Sequence, residues 1–199
     1  MSPVTLPDVI LLNGVSSAGK SSLTAALQDR LPAAYIRMGI DDFIFERSPV
    51  RWFGSEEGLR FVPRDDGLVD VVYGAETLRL HRAFHRSVRA CVAEGLRVVV
   101  DEVILTRGIL GDWVEALTGT DVFFVGVHCS AEELSFREAA RRDRTRGTSL
   151  AQLDKVHAHG TYDLEIDSTA ASTSALAGEV LAALHTRPAL SAFDRLRSQ

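Results

Sequence analysis

The sequence predicts a doubly wound α/β domain built on a parallel sheet of five strands. Three observations carry this prediction. Apolar runs of strand length alternate with helical stretches along the 199 residues. Runs such as Val98-Val99-Val100 and Val122-Phe123-Phe124-Val125 are continuous, as in strands covered on both faces. The first run leads directly into Gly14-Val15-Ser16-Ser17-Ala18-Gly19-Lys20-Ser21, the G-x-x-x-x-G-K-S pattern of a phosphate-cradling P-loop.

Taken in order, the first strand is expected near Val9–Asn13 and the helix after the loop over Lys20–Leu31. A second strand, Tyr35–Met38, should end beside the P-loop. The stretch 45–74 breaks the alternation with Pro, Gly, charges and isolated aromatics. It is too long for a plain connection and reads as an insertion that builds an acceptor site. A helix over Ala75–Glu94, a strand over Arg97–Val103 and a helix over Leu110–Leu117 follow. Next come a strand over Val122–His128 and a helix over Ala131–Arg141. Residues 142–148 form a short Arg-rich lid, followed by a helix over Leu150–His157, a strand over Tyr162–Ile166 and a helix over Leu176–Leu184. In the tail, 188–199, Leu190, Phe193 and Leu196 have helical spacing and would dock on the body or on a second copy of the chain. The whole reads as one kinase-type domain, 1–199, with ligands at the carboxyl ends of the strands.

Bulk properties narrow the function. A hydrophobic content of 46% supports a substantial core. The net charge of −5 argues against general nucleic-acid binding, which wants a basic face. No apolar run approaches a membrane span, and the N-terminus lacks the pattern of a signal peptide. Cys91 and Cys129 read as reduced thiols, so a cytoplasmic protein with access to ATP is expected.

Lysine occurs only at positions 20 and 155, which makes the one inside the P-loop conspicuous. Backbone N–H groups from Gly14 to the following Ser22, with the helix N-terminus, supply positive potential for a polyphosphate. Lys20 adds a point charge for the β- and γ-phosphates, and Ser21 offers a hydroxyl to Mg²⁺. Val98-Val99-Val100-Asp101-Glu102 is an apolar strand ending in carboxylates; Asp101 is the metal-side candidate and Glu102 should face away. Asp41, at the end of the second strand, suits a base that accepts the acceptor hydroxyl's proton; Asp42 suits a helix cap. Arg137, Arg141 and Arg144 share a face if their helix continues, either as a solvated basic helix end or as guanidinium groups closing over phosphates. Trp52, Phe53, Phe61 and Tyr73 would line a pocket for a partly apolar acceptor or pack as satellites. Arg47, Arg51, Arg60 and Arg64 leave room for an anionic one. His128, His157 and His159 have no metal-ligand spacing.

These pieces together resemble the chloramphenicol phosphotransferase family of antibiotic-modifying kinases. The resemblance rests on Ile10–Ser21, Gly39-Ile40-Asp41-Asp42, Val99-Val100-Asp101-Glu102-Val103 and Val125-Gly126-Val127-His128-Cys129. It rests further on Arg137-Glu138-Ala139-Ala140-Arg141-Arg142-Asp143-Arg144 and on Val156-His157 followed by Tyr162-Asp163-Leu164-Glu165-Ile166-Asp167. It implies an adenylate-kinase-like sheet, ATP with Mg²⁺, and phosphoryl transfer to a hydroxyl of a small antibiotic. It also implies Asp41 as base, Arg137, Arg141 and Arg144 over the phosphates, and adenine near Asp167–Thr169. Residues 45–74 have no clear counterpart in the chloramphenicol enzyme, and Val15 stands where a Gly is common. The expected acceptor is therefore chloramphenicol or a related hydroxylated natural product. The alternatives are a kinase of a nucleotide, sugar or cofactor, and a nucleotide-dependent switch without an acceptor.

Overall fold

The computed structural model describes residues 5–141, 145–158 and 160–198. Strands β1 (Val9–Asn13), β2 (Tyr35–Gly39), β5 (Arg97–Glu102), β6 (Val122–His128) and β7 (Leu164–Asp167) form a parallel sheet in the order β2-β5-β1-β6-β7. Strands β3 (Leu59–Pro63) and β4 (Val69–Tyr73) form a separate antiparallel hairpin. The helices are α1 (Lys20–Arg30), α2 (Ala75–Ala93), α3 (Arg107–Ala116), α4 (Ala131–Ala140), α5 (Thr148–Val156), α6 (Thr173–Ala183) and α7 (Ala192–Arg197).

Alternation along the strands divides the core into two layers. Ile10, Leu12, Val99, Phe123 and Val125 face α1 and α6 and meet Leu23, Leu27, Leu176 and Val180. Val9, Leu11, Val98, Val100, Val122 and Phe124 face the other way. They meet Phe84 and Val88 of α2, Ile109 and Trp113 of α3, and Phe193 of α7. Both faces are apolar, which is why these strands read as unbroken runs.

Element ends differ from the sequence expectation where side chains capture backbone groups. β5 stops at Glu102 because the Glu102 carboxylate takes the Val103 N–H at 2.8 Å. α3 begins at Arg107, earlier than its apolar face suggests, because Thr106 accepts from the Ile109 N–H. β7 begins at Leu164; the Asp163 side chain instead accepts from the Phe124 N–H at 2.9 Å. The tail docks on the body. Ser191 and Asp194 form a capping box, and Phe193 is fully buried with its ring 5.4 Å from that of Phe124. Burying that ring contributes about 1.5–3 kcal/mol. Leu190 remains exposed.

The insertion is ordered. A π-helical turn spans Asp42–Glu46, a short 3₁₀ turn spans Val50–Trp52, and the hairpin follows. Its register pairs Leu59 with Tyr73 and Phe61 with Val71, so these four side chains share one face. None of the described helices is long and apolar enough to cross a membrane.

Candidate active site

The P-loop leaves β1 through Asn13, whose buried amide fixes three separate segments. Its Nδ2 donates to the Val156 carbonyl at 3.0 Å and to the Tyr162 hydroxyl at 2.7 Å; its Oδ1 accepts from Ile104 N at 2.9 Å. Gly14 then passes so close to β6 that a Cβ there would sit 2.5 Å from the Val127 carbonyl oxygen. Ser17 (φ 64°) and Gly19 (φ 88°) are left-handed, which curls the loop and turns its N–H groups inward. α1 starts without a side-chain cap, so its first N–H groups are available to an anion. The Val15 and Ala18 side chains point into the core, and Ser16, Ser17, Gly19, Lys20, Ser21 and Ser22 line the cleft. Ser17 Oγ is buried without a hydrogen-bond partner.

Lys20 is almost fully buried. Its Nζ donates to the Val15 carbonyl at 2.9 Å and lies 3.5 Å from Asp101 Oδ1. Ser21 Oγ donates to Asp101 Oδ2 at 2.5 Å. Burial raises the Asp101 carboxyl above its usual range, against the pull of Lys20 and Ser21. A hydroxyl and a carboxylate oxygen side by side, still short of positive charge, fit a hard divalent cation such as Mg²⁺. Glu102 points to the opposite side of the sheet and is fully buried, accepting from the Trp113 indole at 3.2 Å.

Gly39 of β2 pairs in register with Asp101, which brings the β2 end beside the metal-side carboxylate. Asp41 lines the cleft there. Neither Asp41 nor Asp42 caps a helix with its side chain. The helical turn already begins at Ile40, so Asp42 lies inside it, and the expected cap at Asp42 is not made.

Arg137 reaches over the loop. Its guanidinium donates to Glu133 Oε1 at 2.7 Å and to the Ser168 carbonyl at 2.6 Å, and a Cβ on Gly19 would be 3.6 Å from its Nη1. Arg141 also lines the cleft, but by a different route from the one expected. α4 ends at Ala140 and Arg141 is extended (φ −95°, ψ 132°), so the i, i+4, i+7 helical face does not continue. Arg144, and with it residues 142–144 of the expected lid, lies outside the described residues. The chain returns at Thr145, and its re-entry is tied by Glu138. This buried carboxylate accepts from Gly147 N at 2.6 Å, Ser149 N at 3.0 Å and Ser149 Oγ at 3.0 Å.

The cleft encloses about 570 Å³ and has three regions. The P-loop, Lys20 and Asp101 form the centre. Ser168, Ala171, Thr173 and Leu176 form one end, close to where adenine was expected. Asp41, Ile44, Phe45 and the inward hairpin face Leu59, Phe61, Val71 and Tyr73 form the other. Of the aromatics expected there, Phe61 and Tyr73 line the cleft. Trp52 and Phe53 do not; Phe53 stacks behind Phe45 with ring centroids 6.0 Å apart. None of Arg47, Arg51, Arg60 and Arg64 lines it: Arg64 pairs with Asp66 and Arg47 sits near Glu46.

Sequence reasoning missed Gln152, whose Oε1 accepts from the P-loop Ser16 N–H at 2.8 Å, and Phe136, an exposed ring at the cleft. Gln152 lies on an otherwise plain amphipathic helix and gives no local signal; Phe136 could have been found as an apolar residue on the polar face of α4. His128 and His157 stack 4.0 Å apart, with His128 bonded to Glu165 at 2.7 Å and His157 to the Tyr162 hydroxyl at 2.9 Å. His159 lies outside the described residues.

Comparison with known proteins identifies the family and the fold. A profile of chloramphenicol phosphotransferase-like proteins matches residues 7–185. A protein of two Mycobacterium tuberculosis strains, provisionally named an O-phosphotransferase, is 34% identical over 200 residues, covering 96% of this chain and 88% of its own. Among solved structures, a sugar kinase from Janibacter sp. superposes with a TM-score of 0.65 at 18% identity, over 88% of this chain and 93% of its own. A gluconokinase from Sinorhizobium meliloti 1021 superposes at 0.62 and 22% identity, over 97% and 98%. The M. tuberculosis APS kinase in complex with AMPPNP and APS superposes at 0.64 and 16%, over 88% and 96%. Those likenesses establish a P-loop kinase fold. With that fold and a profile match over most of its length, the chain belongs to the chloramphenicol phosphotransferase-like family and is an enzyme that transfers phosphate to an oxygen acceptor.

Proposed function

We infer that the enzyme moves the γ-phosphate of ATP to a hydroxyl of a compact, largely apolar small molecule, chloramphenicol or a related hydroxylated natural product. One observation carries this reading. The P-loop, Asp41 and an apolar hairpin face line a single cleft. Mg²⁺, held by Ser21 and Asp101, would neutralise charge on the β- and γ-phosphates. Lys20, Arg137 and Arg141 supply fixed positive charge around the transferring group. As the acceptor oxygen bonds to the γ-phosphorus, its proton passes to the Asp41 carboxylate and the bond to the β-phosphate oxygen breaks, releasing ADP. Leu59, Phe61, Val71 and Tyr73 hold the acceptor by its apolar body and leave its hydroxyl toward Asp41.

Incubation with ATP, Mg²⁺ and a panel of hydroxylated antibiotics tests this. At least one compound is expected to gain the mass of a phosphate. Asp41→Asn should slow that gain by about 10²–10⁴-fold while nucleotide binding persists. Phosphorylation of only sugars, nucleotides or cofactors would reassign the acceptor. ATP turnover unchanged in Asp41→Asn would remove the base and favour the switch reading.

A further inference from the structure

On the far side of the sheet from the P-loop, α2 and β5 bring three ligand-type side chains together. His81 and His85 are one turn apart on α2 and share a face. Glu102 closes β5, one residue after Asp101. All three are buried, and one ligand atom from each lies within 4.8 Å of the other two. We propose that His81, His85 and Glu102 form a buried site for a divalent transition-metal ion of the zinc class.

Hydrogen bonding does not explain the cluster. Glu102 Oε2 is 3.7 Å from His85 Nε2 and 3.9 Å from His81 Nδ1, both beyond hydrogen-bond range. Both ring nitrogens of His81, and His85 Nε2, are buried with no hydrogen-bond partner. A proton on His85 would answer Glu102 and leave His81 unsatisfied. A metal would engage one nitrogen of each imidazole together with Glu102; the second His81 nitrogen would keep its proton. A tetrahedral ion with bonds of about 2.0–2.1 Å spaces its ligands about 3.4 Å apart, so the two Glu102–His pairs need close by about half an ångström or less and the His81–His85 pair by up to about 1.4 Å.

The surroundings are those of a supported ligand set. His85 Nδ1 lies 2.5 Å from Asp112 Oδ2. Its N–H therefore donates to that carboxylate and Nε2 keeps a lone pair toward the centre, the carboxylate–histidine–metal arrangement. Glu102 is oriented by the Val103 N–H on Oε1 and by the Trp113 indole on Oε2. A divalent charge balances Glu102 and Asp112 together. Two imidazoles select a zinc-class ion over Mg²⁺ or Ca²⁺. The His81 ring lies 4.8 Å from that of Tyr73, so the ion would brace the helix behind the cleft wall and take no part in chemistry.

The full chain, refolded from denaturant with Zn²⁺ or Co²⁺ and then desalted, should retain one ion per chain. X-ray absorption at the metal edge should report two imidazole ligands. Zn²⁺ at a hundredfold excess over Kd should raise Tm by about 5–10 °C. His81→Gln should reduce affinity at least tenfold, and Asp101→Asn should leave retention unchanged. Failure of the wild-type chain to retain metal would overturn the site and assign the pocket to a proton or an ordered water. So would retention lost in Asp101→Asn, retention equal in His81→Gln, or a shell of oxygen ligands alone. If His81→Gln does not fold, the imidazole count in the wild-type spectrum decides. The outcome is independent of which hydroxyl the enzyme phosphorylates.

Discussion

Glu138 offers a test of how the phosphate side of the cleft is held. Its carboxylate is buried and receives three hydrogen bonds from the segment that follows Arg141. In Glu138→Ala the two backbone donors respond differently. Ser149 is fully buried, so its N–H loses its partner without access to water, at about 1–3 kcal/mol. Gly147 is half-buried and its N–H can turn to water, so only the net value of a charge-assisted bond is lost, about 1.5–3 kcal/mol. The sum is about 2.5–6 kcal/mol, or a fall in Tm of roughly 5–20 °C for a chain of this size. Glu138→Gln keeps one oxygen for Ser149 but turns an amide toward Gly147, so it should lose about 1–2 kcal/mol. Urea denaturation of the three proteins measures the series. Both variants should also raise the KM for ATP, because Arg141 leads directly into the released segment. If Glu138→Ala lost less than about 1 kcal/mol, the carboxylate would not be anchoring the return chain and the reasoning from burial would fail.

Other expectations follow from the same geometry. Phe61→Ala should raise the acceptor KM about tenfold with the KM for ATP unchanged, since Phe61 lines only the acceptor end; steady-state kinetics separate the two. Gly14→Ala should abolish nucleotide binding in calorimetry, because its Cβ would meet the Val127 carbonyl at 2.5 Å and the backbone must shift. His157 is held to a pKa of about 4 by burial, with His128 and Lys20 adding repulsion. It is neutral in the folded chain and titrates near 6.5 when unfolded. The unfolded state therefore binds the extra proton, and stability should fall as pH drops from about 6.5 to about 4. Denaturation midpoints across that range should flatten in His157→Gln.

The main sheet was legible because its strands are buried on both faces and carry no competing signal. Val9–Asn13 and Val122–His128 came out residue for residue. The phosphate cradle was legible because a P-loop needs glycines, a lysine and a serine at fixed spacing. The hairpin was not. Leu59, Phe61, Val71 and Tyr73 alternate correctly, but Arg60, Asp70 and a charged turn dilute the pattern, and only pairing reveals the shared face. α4 ends at Ala140, one residue short of the expectation; the shared Arg face depended on a continuing helix, whereas Glu138 captures the returning chain. The α2–β5 cluster was not read: His81 and His85 stand four apart on one helix, but Glu102 joins them only when α2 covers β5.

The β3–β4 hairpin adds no strand to the parallel sheet, and its ties to the body include the Val69 N–H on the Gly147 carbonyl and Lys155 on Asp70. On its inward face Phe61 is partly exposed and open to change, whereas Leu59 is buried and Val71 and Tyr73 pack against both core layers. A change of acceptor is thus expected to begin at Phe61 and to reach the rest of the fifteen-residue patch (Leu59 to Tyr73) only with compensating changes in the core behind it.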